Sequence, residues 1–276
     1  MFSFLLNFFQ KEKIDCFSVL PLEECKVQKP YLLEREGIES GSVILLAIPY
    51  YTHACSCEDR NLSAYAVPRD YHLYFKMLYA RLLPQLREAF PQNKFAAFSD
   101  HSPISEGEAA AKAGMGMLGK NHLLITPKYA SYVFLGEIVT DMHIPCEIHP
   151  VQECENCGAC MRACPAEECG GCLSALTQKK GELTAQEQEL MLRYGSVWGC
   201  DICQAVCPHA KQAIRSGSIY SPIPFFAKQT LPHLTQKALL AMDEQAFLDR
   251  AYSWRGKATI LRNLKLFEEN GGKTEC

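Results

Sequence analysis

A chain of 276 residues is long enough to bury a full core, and its length alone suggests about two domains. With 48% hydrophobic residues, 21% charged residues and a formal net charge of -3, it reads as an ordinary globular protein and not as a disordered, fibrous or strongly basic one. Its overall charge carries no nucleic-acid signature, and no stretch approaches the roughly 18 uninterrupted apolar residues of a membrane span, so the expected setting is cytoplasmic, with no membrane partner.

Met1 to Phe9 is apolar, but Lys11, Glu12, Lys13 and Asp15 follow at once, with neither a basic start nor a small-residue cleavage site. This predicts an amphipathic helix rather than a leader. The apolar run Ser42 to Ile48 has strand length, and Lys94 to Phe98, His122 to Thr126 and Tyr132 to Val139 read similarly. Between the first two, Tyr71, Tyr74, Phe75, Leu78, Tyr79, Leu82 and Leu83 recur at helical spacing, with Pro84 as a kink or stop. Ser105 and Glu108 have the spacing of a capping box, opening a helix that ends at the glycines after Ala113. A second capping box, Thr184/Glu187, opens a helix through Leu190 to Leu192. Two short helical patterns follow, Gln236 to Met242 and Glu244 to Tyr252, and then a basic amphipathic tail from Trp254 to Phe267.

Fifteen cysteines allow a disulfide framework or a metal site, and a cytosolic setting favours metal. Cys16, Cys25, Cys55, Cys57, Cys146 and Cys276 are scattered, without ligand spacing, and read as ordinary thiols. The other nine lie between Cys154 and Cys207. Cys154-x2-Cys157-x2-Cys160-x3-Cys164-Pro165 is followed by Cys200-x2-Cys203-x3-Cys207-Pro208, the spacing of bacterial ferredoxins, in which the cysteine before proline ligates the other cluster. One 4Fe-4S cluster is therefore assigned Cys154, Cys157, Cys160 and Cys207. The other takes Cys164, Cys200, Cys203 and one more thiol, Cys169 or Cys172. Zinc is the alternative, but zinc sites take two pairs of ligands, and three plus one in each direction is a cubane pattern.

Two further motifs do not hold. Gly114-Met-Gly-Met-Leu-Gly119-Lys120 fits dinucleotide and phosphate-loop patterns, yet its glycines follow a helix and precede a strand, the reverse of what anion binding at a helix start requires. Asp141-Met-His143 matches the start of a histidine-donating cobalamin motif, but Cys146 stands where its glycine belongs.

Several blocks in one order carry a wider likeness: Tyr65-Ala-Val-Pro-Arg69-Asp70-Tyr71-His72, Phe98-Ser-Asp100-His-Ser-Pro103, Lys112-Ala-Gly-Met-Gly-Met-Leu-Gly-Lys120-Asn121, Phe134-Leu-Gly-Glu137, Cys172-Leu-Ser174-Ala-Leu-Thr177, Gly199-Cys-Asp-Ile-Cys-Gln-Ala-Val-Cys-Pro208 and Trp254-Arg-Gly-Lys-Ala-Thr-Ile-Leu-Arg-Asn263. Together, from about residue 40 to 267, they resemble the epoxyqueuosine reductase family, cobalamin and iron-sulfur enzymes of queuosine synthesis in tRNA. The resemblance implies an α+β chain: a cobalamin-binding α/β domain over 1–148, a ferredoxin-like double 4Fe-4S module over 149–212 and a helical C-terminal segment over 213–276. It implies Cys172 as the eighth cluster ligand and a corrinoid pocket lined by Tyr71, His72, Lys120, Asn121, Leu124, Ser174 and Thr177.

By itself Asp100 reads as a turn residue; the resemblance makes it the general acid of epoxide reduction, with burial raising its pKa. It also implies a flavodoxin or ferredoxin electron donor, the anticodon region of tRNA as substrate and a monomer. The chain departs from the family's Asp-Ser-Ala-Pro block, having Asp100-His101-Ser102-Pro103 and Gly107 near the place of an arginine. A cobalamin-dependent reductase of another small molecule and a non-enzymatic electron carrier are the rival readings. Arg255, Lys257, Arg262 and Lys265 of the tail read as a solvated helix face, or as contacts to tRNA phosphate.

Overall fold

The computed structural model describes residues 1–271, so Cys276 lies outside the described residues. The chain opens with α1 (Phe2–Lys11), β1 (Phe17–Pro21), α2 (Pro30–Glu36), β2 (Ser42–Pro49), α3 (Tyr71–Ala89), β3 (Phe95–Phe98) and α4 (Glu106–Lys112). The short strands β4 (Met117–Leu118) and β5 (Leu124–Ile125) precede β6 (Val133–Thr140). Helices α5 (Ala159–Ala163), α6 (Ala166–Cys169), α7 (Leu173–Thr177), α8 (Ala185–Tyr194), α9 (Ile202–Ala205) and α10 (Pro208–Ser216) span the cysteine-rich region. They are followed by α11 (Pro224–Ala227), α12 (Gln236–Ala241), α13 (Glu244–Leu248) and α14 (Lys257–Glu269). The class is α+β, as expected.

The chain divides into two compact units, each assembled from three segments. Met1–Pro49, His72–Gly158 and Pro208–Ile223 form the first; Tyr50–Tyr71, Ala159–Cys207 and Pro224–Cys276 form the second.

In the first unit an antiparallel sheet runs β1-β2-β6-β3. Every residue of β2 is buried, which explains a continuous apolar run where a half-exposed strand would alternate. One face of the sheet packs under the alanines of α4, with Val43, Leu45 and Val139 in one apolar cluster with Ala109, Ala110 and Ala111. The other face lies under α3, so close that a Cβ on Gly136 would strike the rings of Phe75 and Tyr79.

Three local expectations change. Pro84 does not stop α3, which continues to Ala89; the proline sits on the exposed face, while Leu82 and Leu86 anchor the buried one. Ser105 does begin α4, but its side chain makes no capping hydrogen bond. The run His122 to Thr126 yields only β5, which pairs with β4, so the glycine-rich segment is part of a hairpin and opens no helix.

The second unit is held by Trp198, fully buried, whose Nε1 donates to the Tyr65 hydroxyl at 2.8 Å and whose ring meets Tyr252 edge-on. Asn263 of α14, equally buried, donates to the carbonyls of Thr177 and Val197 at 2.7 and 2.8 Å. The Thr184/Glu187 capping box is made in full at the start of α8.

Candidate functional site

The eight expected ligand thiols divide between the units. Cys164, Cys172, Cys200 and Cys203 all belong to the second, as do Cys160 and Cys207, while Cys154 and Cys157 belong to the first. Within the second unit, Cys160 lies on α5 and Cys203 on α9, and these two helices pack on each other. Burial pushes the Cys200 thiol up to about 12, and the charges of Asp201, Cys203 and Cys172 push the same way. Cys172 acts in the same sense on Cys169, whose thiol is raised first by burial, then by Glu168 and Cys164. Cys172 is therefore felt at Cys200 of the expected ligand set and at its rival Cys169. Eight thiols in three-plus-one spacing supply the soft sulfur donors that iron takes. The donor set fits a cubane in this chemical sense. Among the described residues, no three His, Cys, Asp or Glu side chains converge as a single-ion site.

In the first unit the backbone N–H of Cys154 donates to the Leu118 carbonyl at 2.9 Å, tying the start of the motif to β4. The motif then turns through Asn156 at φ +53° and Gly158 at φ +72°, the left-handed conformations that let closely spaced thiols wrap one body.

An interaction absent from the spacing argument holds the second motif. Asp201, between Cys200 and Cys203, accepts hydrogen bonds from Arg60 Nη1 at 2.6 Å, from the Ala64 N–H at 2.7 Å and from the Ser63 hydroxyl. Gly199, at φ +76°, precedes it, and a Cβ there would strike Ser63. The loop 60–64 and the Cys200 turn are thus one buried polar assembly. Its only trace in the sequence is a charged residue between two ligands.

Asp100 sits at the centre of a three-residue turn closed by the His101 N–H on the Ser99 carbonyl at 2.7 Å, with φ +64°. This conformation is rare for a residue with a Cβ, and it aims the side chain outward. The carboxylate Oδ2 lies 3.7 Å from His72 Nε2, and its side chain is 67% exposed, so the protein's own atoms do not provide the expected burial. Beside it, His101 bonds to the Tyr31 hydroxyl at 2.8 Å and to Lys29 Nζ at 3.1 Å.

The remaining expected pocket residues fall in two groups. In the first unit His72 and Lys120 are exposed and Asn121 is half-buried, its Oδ1 accepting from the Leu123 N–H, while Leu124 is buried in the core. In the second, Tyr71 and Ser174 are half-buried. Thr177 is fully buried, with its hydroxyl accepting from the Gly199 N–H at 2.9 Å and donating to the Ser174 carbonyl at 2.7 Å. The accessible imidazole, ammonium, amide and hydroxyl groups suit a cofactor fringed with amides. Thr177 is committed to holding the Gly199 turn.

Behind Asp100, within the first unit, lie two carboxyl groups that sequence reasoning passed over. Glu137, in the middle of β6, is fully buried; both its oxygens and Glu106 Oε1 are sealed from solvent, and the two carboxyls face one another. Burial raises Glu137 well above the carboxylate range, and the charge of Glu106 raises it further; burial also raises Glu106. A raised folded pKa stabilises the fold fully only below the unfolded carboxylate value near 4.5, and that contribution is lost as pH rises toward the folded value. Stability should therefore decline from pH 5 to pH 8 by about 1.4 kcal/mol per pH unit for each proton retained. Glu137→Gln should flatten the decline, and denaturant midpoints measured across that range will show whether it does.

No family model matches the chain. The epoxyqueuosine reductase of Listeria monocytogenes is 35% identical over 203 residues, covering 70% of this chain and 53% of that protein. That of Bacillus anthracis is 32% identical over 292 aligned positions, covering 91% of this chain and 75% of that protein. The chain belongs to the epoxyqueuosine reductase family. An epoxyqueuosine reductase crystallised with an epoxyqueuosine-modified tRNA-Tyr stem loop shares its fold, with a TM-score of 0.73 at 24% identity over 96% of this chain and 80% of that one. This member of the epoxyqueuosine reductase family spans 53% of the Listeria relative's length.

Proposed function

We propose that the protein reduces epoxyqueuosine to queuosine in tRNA, using two 4Fe-4S clusters and cobalamin. Family membership supports this reading, and the observation that carries it is the outward presentation of Asp100, on a strained turn 3.7 Å from His72, in a chain with a double-cubane cysteine set. Cys154, Cys157, Cys160 and Cys207 would hold one cluster, and Cys164, Cys172, Cys200 and Cys203 the other. Tyr71, His72, Lys120, Asn121, Leu124 and Ser174 are the candidates to border the corrinoid, with Thr177 holding the Gly199 turn. The clusters and the corrin supply low-potential electron transfer and a strongly reducing metal centre when bound. The chain's own part is to seat these groups and to deliver protons from Asp100 to the departing oxygen. The finer arrangement, an α/β domain over 1–148, a cluster module over 149–212 and a helical segment over 213–276, belongs to the same proposal.

The solved relative bound to a modified stem loop supports tRNA as substrate. The basic tail would contribute less to that binding than its charge suggests, because Arg262 donates to the Lys179 carbonyl at 2.7 Å and Lys257 to the Met242 carbonyl at 3.2 Å. A flavodoxin or ferredoxin donor and a monomeric enzyme complete the reading. Among the described residues no helix is long and apolar enough to cross a membrane. A changed substrate is the second reading, favoured by the His101, Lys29 and Tyr31 cluster next to Asp100.

Anaerobic reconstitution with iron, sulfide and cobalamin, followed by assay on epoxyqueuosine-containing tRNA, tests the proposal. About eight irons per chain and formation of queuosine are expected, and Cys203→Ser should drop the iron toward about four. One zinc with no labile sulfide rules out the clusters, and a loaded enzyme inert on that tRNA rules out the substrate.

A further inference from the structure

Removing an epoxide oxygen breaks two C–O bonds, forms a C=C bond and releases water. The step consumes two electrons, from the low-potential one-electron donor of the proposed reaction, and two protons. Asp100 is a single carboxyl and can deliver one proton at a time. The second proton must be kept elsewhere.

Residues 133, 135, 137 and 139 share one face of β6. Val133, Leu135 and Val139 join the apolar cluster under α4, and Glu137 stands among them where an aliphatic side chain would pack without desolvation cost. Glu106, on the first turn of α4, covers it. Glu137 feels Glu106 on α4, Ser102 in the preceding loop and Lys29 before α2, and its charge reaches Tyr79 on α3; Glu106 also feels Asp100. Tyr79 is turned away, donating to the Phe98 carbonyl at 2.8 Å. We propose that Glu106 and Glu137 are a buried store holding one proton in common, which refills Asp100 during turnover and so supplies the second proton of the reduction.

This inference rests on the proposed function. The proton passes from Glu137 to Glu106, from Glu106 to the Asp100 carboxylate and from there to the departing oxygen; the emptied pair reloads from solvent through Asp100 between turnovers. The receiving oxygen is far more basic than any carboxylate, so the overall transfer runs downhill even from a tightly held proton. Burial of Glu137, whose oxygens are sealed from solvent, is what keeps the pair loaded. The pair acts through Asp100 and touches no substrate.

The test is the pH profile of turnover for reconstituted wild type, Glu137→Gln and Glu106→Gln on epoxyqueuosine-containing tRNA. Each variant should lose about a hundredfold at pH 8 and recover toward wild type at pH 5, where solvent itself supplies protons more readily. Equal loss at every pH marks a packing role and overturns the store, as does an unchanged profile. Wild type inert at all pH values refutes the function instead. Should the variants fail to fold, infrared spectroscopy of the wild-type protein at pH 7 decides. A deuterium-sensitive protonated-carboxyl band is expected, and its absence removes the store.

Discussion

Asp100→Ala is expected to lower turnover by about 100- to 10,000-fold while iron content, corrinoid content and thermal midpoint stay at wild-type values, the range lost with a positioned general acid. The size follows from the leaving group, since an epoxide oxygen departing unprotonated carries a full negative charge. The selectivity follows from the geometry. Asp100's side chain is 67% exposed, on a turn closed by backbone atoms and not by its carboxylate, so truncation opens no cavity and breaks no buried bond. Alanine keeps the strained φ of +64°; Asp100→Gly relieves it and should be slightly more stable yet equally inactive. Loss of both activity and folded protein in the alanine variant would show Asp100 to be a scaffold residue. Retained turnover would remove it from the reaction.

The second large effect is on stability. Asp201→Ala should destabilise the protein by about 3 kcal/mol, because the substitution strands the half-buried Arg60 guanidinium without its buried partner. Three donors converge on this one carboxylate: a guanidinium, a hydroxyl and a backbone N–H. Arg60 is raised by Asp201, against a burial effect that works to lower it, so the charge there depends on its partner. Asp201→Asn keeps the shape and one acceptor and should lose less. Since Asp201 lies between Cys200 and Cys203, iron retention after dilution should fall in the same order, wild type above Asn above Ala. Chemical denaturation and iron analysis on the three proteins read both quantities. An alanine variant with an unshifted midpoint would mean that the network carries no net stability.

Much of this could be read directly from the residues. Cysteine spacing is covalent information, and the two motifs propose most of the ligands before any fold is known. The Thr184/Glu187 box and the amphipathic α1 are equally local, and both form where the pattern places them. The apolar runs of β2 and β6 marked strands, and Glu137 was the anomaly in the second: an acid where the run demanded Val or Ile. What such an acid faces does not appear in a run of sequence.

Local rules failed where tertiary packing overrode them. Pro84 is tolerated within α3 because it falls on the solvent side, and Ser105 begins a helix without capping it. Asp100 required the turn to be seen, because its φ depends on how β3 is handed to α4.

The sequence by itself determined the cysteine spacing, the family and most of the elements, since these depend on residue types at fixed short separations. Only the tertiary structure brought Arg60 to Asp201 across 141 residues, set Glu106 over Glu137 and assembled each unit from three separate segments. The physical reason is that burial and long-range hydrogen bonds depend on which apolar faces cover one another, and that is a property of the packed chain and not of any stretch of it.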